Sequence, residues 1–279
     1  MLNFTPTVML KGDYVGHPFR GNQWGNPNDI TDADRQAAGI PKLNDVFDGP
    51  VLVASNGYKA VKEDELQKLG NDSGLWDAMG ERIMRIDDSE EKPTDQLDLL
   101  VVDNYVDTLH GKINDLLRGI PRNNDTVLLS WPSSGHIVQE IATTEVAEAM
   151  DEAFDKYDIP LPESAILYRG IGGKTIGKFT SLQIGQEFTD KGFISTSIDP
   201  RTANVFIGGG PDFGAIIEIH APKGTPVMLP DPNGARGEGE MVLNRGTKFR
   251  VTHITSNHFA GRHRDVKLIV EVVLEDKAA

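Results

Sequence analysis

Two prolines, Pro160 and Pro162, divide this chain into stretches of different hydrophobic period, and that change limits the folds open to it. Upstream, Leu99, Val102, Val106, Leu109, Ile113 and Leu116 recur at steps of three and four, the spacing of one helical face. Thr94 or Asp95 can cap this helix, and Gly119 and Pro121 stop it. A second helical stretch is expected from about Ile137 to Tyr157, with Val146, Met150, Ala153 and Tyr157 as its stripe. Downstream the period is two. Residues 165–168, 192–197, 216–219, 226–229, 240–243, 249–252 and 266–273 read as strands between Gly-, Pro- and Asp-rich turns. Helices followed by consecutive strands predict an α+β fold rather than βαβ repetition.

The first fifty residues carry little periodic hydrophobicity. The stretch Lys11 to Gly25 has glycine every few steps among isolated aromatics and is expected to be a flexible arm or docking segment. Leu52 to Arg85 holds helical pieces interrupted by Gly70, Gly74 and Gly80. The charged run Asp87 to Pro93 predicts a boundary. Two units result: an acidic, Gly-rich arm with a weakly folded helical extension over 1–93, and the main domain over 94–279.

Charge and composition remove several function classes. With 28 basic and 42 acidic side chains the formal charge is −14, which argues against a main affinity for nucleic-acid phosphates or an anionic membrane face. The chain has no cysteine, so disulfides, thiolate zinc sites and cysteine nucleophiles are excluded. The first ten residues lack the cationic and apolar regions of a signal peptide, so none is expected. Gly170 to Thr175 tempts a phosphate-loop reading, but Tyr168 stands where the first glycine belongs. The dinucleotide fingerprint fails at Thr175 and, for Gly208 to Gly210, at Phe213. The seven histidines form no HExxH motif, so no metal is expected.

What survives is an ordered set in the strand-rich half: Tyr168-Arg169-Gly170, Ser195-Thr196-Ser197 and Glu238-Gly239-Glu240. Each is weak alone. Together, each at a strand end or turn, they resemble the R–S–E signature of the ADP-ribosyltransferases. The resemblance extends to Leu161-Pro162-Glu163 ahead of the first element, to Phe193-Ile194 ahead of the second, and through Met241 to Phe249 after the third. Upstream, Tyr105, His110, Ile113-Asn114 and Leu117-Arg118 match a helix that covers the NAD site in the exoenzyme-toxin branch.

That resemblance implies a split mixed β-sandwich core clasping NAD as co-substrate, with helices on one side and no metal in the cycle. It implies that Glu240 is the catalytic carboxylate facing the ribose. The bond to nicotinamide breaks with cation character on the sugar, as in glycoside hydrolysis, and a fixed acid counters that charge. Arg169 would hold the dinucleotide phosphates with its fork, and Gly170 would let backbone approach the nicotinamide amide. Ser195 would bond and aim Glu240, while Thr196 and Ser197 support the strand. Tyr105, Asn114 and Phe206 are further candidates for NAD contact.

Residues two apart in an extended chain face one side, so Glu238 is expected to grip the acceptor beside Glu240. An acid at that position goes with arginine acceptors in the family. Three departures stand against the pattern: no aromatic in the turn 230–237, His110 in place of a second tyrosine, and Gly209 in place of an arginine.

Three readings follow: a protein-arginine ADP-ribosyltransferase, a docking protein keeping the fold without activity, and an NAD glycohydrolase. The segment Gly16 to Trp24 also looks like a short stretch recurring in proteins of tailed phages, often near the head genes. That resemblance implies virion partners for the arm, and a site of action in the virion or the bacterial host cytoplasm.

Overall fold

The computed structural model describes residues 57–88, 97–121, 125–130, 137–172, 182–206, 214–230, 238–258 and 264–274. The segment Gly16 to Trp24, the rest of the arm to residue 56, Gly209 and the turn residues 231–237 lie outside the described residues.

The first described elements are strand β1 (Lys59–Ala60) and helices α1 (Glu63–Ser73) and α2 (Leu75–Asp88). Gly74 separates the helices at φ 69, a left-handed conformation that glycine adopts without strain. Gly70 and Gly80, expected as breaks, lie inside the helices. Leu66 of α1 and Leu75 of α2 are fully buried in the cores of the main body.

The helix expected to carry Leu99 to Leu116 is interrupted. It runs as α3 (Leu97–Asn104), a π-helical turn (Tyr105–Leu109) and α4 (His110–Leu117). The wide turn shifts the phase of the apolar stripe. Tyr105 is fully buried, whereas Val106 and Leu116 of the expected stripe are only half-buried. Asn104 anchors α3: its Nδ2 donates to the Leu100 and Ser130 carbonyls at 2.9 Å, and its Oδ1 accepts from Ser130 N at 2.9 Å.

The second helix is shorter than expected. Thr126–Ser130 (β2) and Ile137–Ala142 (β3) form an antiparallel pair, and only Thr143–Tyr157 is helical (α5). Ile137 and Ile141 stand four apart and so imitate a helical face, but they belong to a strand. The α5 stripe of Val146, Met150, Ala153 and Tyr157 is buried as the periodicity requires.

The remaining elements are β4 (Ile159–Pro160), β5 (Ala165–Gly172), β6 (Glu187–Thr189), β7 (Ile194–Ser197), α6 (Pro200–Val205), β8 (Gly214–Ala221), β9 (Pro226–Met228), β10 (Glu240–Leu243), β11 (Lys248–His258) and β12 (Arg264–Val272). Their order in the sheet is β4-β9-β10-β7-β5-β8-β12-β11-β6, with β1 beside β5. The sheet is mixed, since β8 and β12 run parallel while β5–β8, β7–β10 and β11–β12 are antiparallel.

β5 and β7 share a single registered pair, Tyr168 with Ser197, whereas β5 and β8 register over eight. There the sheet splits into two halves. One core fills the inner face with Leu167, Ile194, Ile217, Met241, Phe249 and Val270. The other lies between the sheet and the helices, where Phe193 stacks on Phe154 at 5.6 Å and meets the edge of Tyr105 at 5.8 Å. Each such buried side chain stabilises the fold by roughly 1.5–3 kcal/mol.

Candidate active site

The split between β5 and β7 gathers the three sequence elements. Arg169 extends from β5 across the gap, and its Nη1 donates to the Ser195 carbonyl at 3.2 Å. Its Nε is buried with no hydrogen-bond partner among the described residues. On β10, Glu240 is the registered partner of Ser197, and Val242 that of Ser195. Glu240 is only 6% exposed. Antiparallel partners point to one face, so Ser195, Ser197 and Glu240 share the helix-facing side of the sheet.

The strand β7 is tied to its neighbour by its own hydroxyls. Thr196 Oγ1 donates to the Met241 carbonyl at 2.6 Å, and Ser197 Oγ donates to the Glu238 carbonyl. Ser197 Oγ also accepts from Asp199 N at 3.0 Å. Thr196 thus ties β7 to β10, and Ser197 fixes the turn that delivers both acids. Ile198 N adds a bond to the Gly239 carbonyl at 3.0 Å.

One premise of the sequence reading does not hold. Gly239 takes φ 54, and a Cβ there would lie 2.6 Å from Ile198 Cγ1. The stretch from Glu238 to Glu240 is thus not extended, and strict alternation does not set the relative direction of the two acids. A left-handed residue packed this closely on Ile198 must be glycine.

The Tyr105 ring is fully buried. Its hydroxyl accepts from Asn114 Nδ2 at 3.0 Å, lies 3.5 Å from Ser195 Oγ, and donates to the Phe193 carbonyl at 3.4 Å. Burial raises the Tyr105 pKa; Ser195, Arg169 and Asn114 oppose that rise, and the Glu240 charge adds to it. Asn114 is likewise buried. His110 meets the Tyr105 ring edge at 6.3 Å and keeps its outer side exposed. Desolvation lowers its pKa and Arg169 pulls the same way, while the Tyr105 carbonyl and Asp107 oppose them.

Gly170 follows Arg169 on β5 and is half-buried. Phe206 stands at the C-terminal end of α6, 42% exposed, on a helix packed against β5 and β7.

A sequence model of the ADP-ribosyltransferase exoenzymes matches residues 82–276. The chain belongs to that family. An ADP-ribosyltransferase from Clostridium botulinum is 17% identical, aligned over 77% of this chain and 98% of its own, with a TM-score of 0.46. An ADP-ribosyltransferase toxin from Paenibacillus larvae is 20% identical over 76% of this chain and 96% of its own, with a TM-score of 0.48. The Vis toxin, an ADP-ribosyltransferase from Vibrio splendidus, is 18% identical over 77% and 88%, with a TM-score of 0.45. No protein of curated function matches the sequence.

An ADP-ribosyltransferase takes NAD as its donor. Arg169 is half-buried beside Gly170, with its Nη1 on the Ser195 carbonyl and its Nε enclosed without a partner among the described residues. Burial pulls the Arg169 pKa down, Asp190 pushes it up and Arg118 opposes that, but a guanidinium stays charged throughout. Among the described residues no group of three His, Asp or Glu side chains could hold a metal ion. The same residues include no helix long and apolar enough to cross a membrane.

Arg118 belongs to the helix matched in the sequence, but its partner beside this site, Asp190, has no place in that pattern. Arg118 and Asp190 form a bidentate ion pair, with both contacts at 2.8 Å. Asp190 stands just before Gly192 and β7 in sequence, and that position is its only signal.

Proposed function

We propose that this ADP-ribosyltransferase modifies an arginine side chain of a protein substrate, releasing nicotinamide. The observation that carries the reading is the junction of β5, β7 and β10, where Arg169, Ser195 and Glu240 come from distant stretches to one split. Arg169 would take the pyrophosphate through its guanidinium fork, a charge-assisted bond. Glu240 would bond the ribose hydroxyl and face the positive charge that grows as the nicotinamide bond breaks. NAD supplies the ADP-ribosyl group; the chain's own side chains orient it and exclude water.

Glu238, on the turn held by Ser197, would pair with the incoming guanidinium and take its proton. A carboxylate matches that fork, whereas an amide lacks the charge. The test uses labelled NAD with agmatine, a small guanidinium acceptor. Glu238→Gln is expected to lower transfer to agmatine about 100-fold, in the usual range for loss of a general base, while NAD hydrolysis persists. Full transfer by Glu238→Gln overturns the arginine assignment. Free ADP-ribose as the wild-type enzyme's only product would favour an NAD glycohydrolase.

A further inference from the structure

Asp190 lies between two cations. Its Oδ1 accepts from Arg118 Nε at 2.8 Å and from Gly192 N at 2.9 Å, and its Oδ2 accepts from Arg118 Nη2 at 2.8 Å. Both side chains of the pair are only 12% exposed. Arg169 lines one small cavity with Asp190, Phe188, Ile194 and Phe249. Burial pushes the Asp190 carboxyl up, but the Arg118 fork, the Arg169 charge and the Gly192 N–H outweigh it and hold it below the ordinary value. The carboxylate therefore feels both guanidiniums, and its bidentate bonds go to Arg118.

The geometry around Gly192 keeps it that way. A Cβ on Gly192 would lie 2.6 Å from Asn114 Oδ1 and 2.9 Å from Arg118 Nη2, so the end of α4 seats directly on this backbone. Arg118 is thereby fixed against the turn that carries Asp190, while Gly246 N bonds the Asp190 carbonyl at 2.8 Å from the other side. A buried carboxylate without such a partner takes the next available cation, because an unpaired charge in a desolvated site is costly.

We infer that Arg118 is a positioning residue that captures Asp190 and so keeps the Arg169 guanidinium available for the dinucleotide phosphates. The inference rests on the reading of Arg169 as the phosphate-binding cation. Without Arg118, Asp190 turns to Arg169 and competes with NAD for it. The cost of losing Arg118 then comes from the acid left behind, so removing that acid as well restores binding. A purely structural ion pair behaves otherwise, since losing both partners leaves the site no better ordered.

The experiment measures NAD affinity by calorimetry and nicotinamide release by steady-state kinetics on the full chain, with thermal unfolding of each sample. Arg118→Met is expected to weaken NAD binding about tenfold, with the loss in KM for NAD rather than in kcat. Arg118→Met/Asp190→Asn is expected to recover to within about threefold of wild type, since the introduced amide oxygen can still accept from Gly192 N. If Arg118→Met does not fold, Arg118→Lys with and without Asp190→Asn gives the same comparison, because a point charge holds one oxygen where the fork held two. A double variant that binds as weakly as the single one, or a single variant with unchanged affinity, overturns the inference. A wild-type chain that binds no NAD overturns the reading of the site, and this inference with it.

Discussion

Ser197 of β7 and Glu240 of β10 face each other as registered partners, and the same serine hydroxyl bonds the carbonyl of Glu238. One small side chain thus ties the strand that ends the split to the turn bearing both acids. Ser197 is 4% exposed, so water does not replace its bonds.

Ser197→Ala removes a donor to Glu238 O and an acceptor from Asp199 N. A stability loss of about 1–3 kcal/mol is expected from the unmet buried groups. The turnover number is expected to fall roughly tenfold, with KM for NAD within about twofold of wild type. Nicotinamide-release kinetics beside a denaturant melt check both; an unchanged kcat contradicts the role given to this hydroxyl.

The family pattern makes Tyr105 a candidate for NAD contact, and its ring is fully buried. Tyr105→Phe keeps the ring between Phe193 and His110 but strips Asn114 Nδ2 of its acceptor. The expected cost is about 1–3 kcal/mol in unfolding free energy, with NAD affinity close to wild type. A large loss of affinity at unchanged stability would place the hydroxyl in contact with the dinucleotide instead.

Tyr168, registered with Ser197 and Glu218, is pushed up to about 12 from a tyrosine's ordinary 10.0 by burial, then by the Glu218 and Asp199 charges. A raised folded-state value favours the neutral form, so this contribution is whole below pH 10 and is lost as pH rises towards 12. Urea midpoints should therefore fall over that window, and Tyr168→Phe should flatten the fall. An equally steep decline in Tyr168→Phe assigns it to other groups.

Much of this fold is legible because strand period and turn chemistry agree. Residues 240–243 and 165–168 read as strands because they are short, largely apolar runs between turn-rich stretches, and both are strands. The juxtaposition of Arg169 with Ser195 rests on a motif, since a contact across 26 positions leaves no periodic trace. The failures have local causes. Four successive buried residues, Leu99 to Val102, give α3 no single face, so the apolar spacing could not register the π turn that brings Tyr105 inward. Ile137 and Ile141 carry a helical spacing into a strand. Gly239 breaks the alternation on which the joint facing of Glu238 and Glu240 depends. The Arg118–Asp190 pair spans 72 positions, and only the packing of α4 on Gly192 reveals it.

The central claim is that Glu240 serves the bond-breaking step inside a site that binds NAD through other groups. Parallel measurement of NAD affinity and nicotinamide release for Glu240→Gln tests it most directly. Binding within a few-fold of wild type is expected, with cleavage reduced by about 100-fold or more, for transfer and hydrolysis alike. Cleavage by Glu240→Gln at the wild-type rate would contradict it.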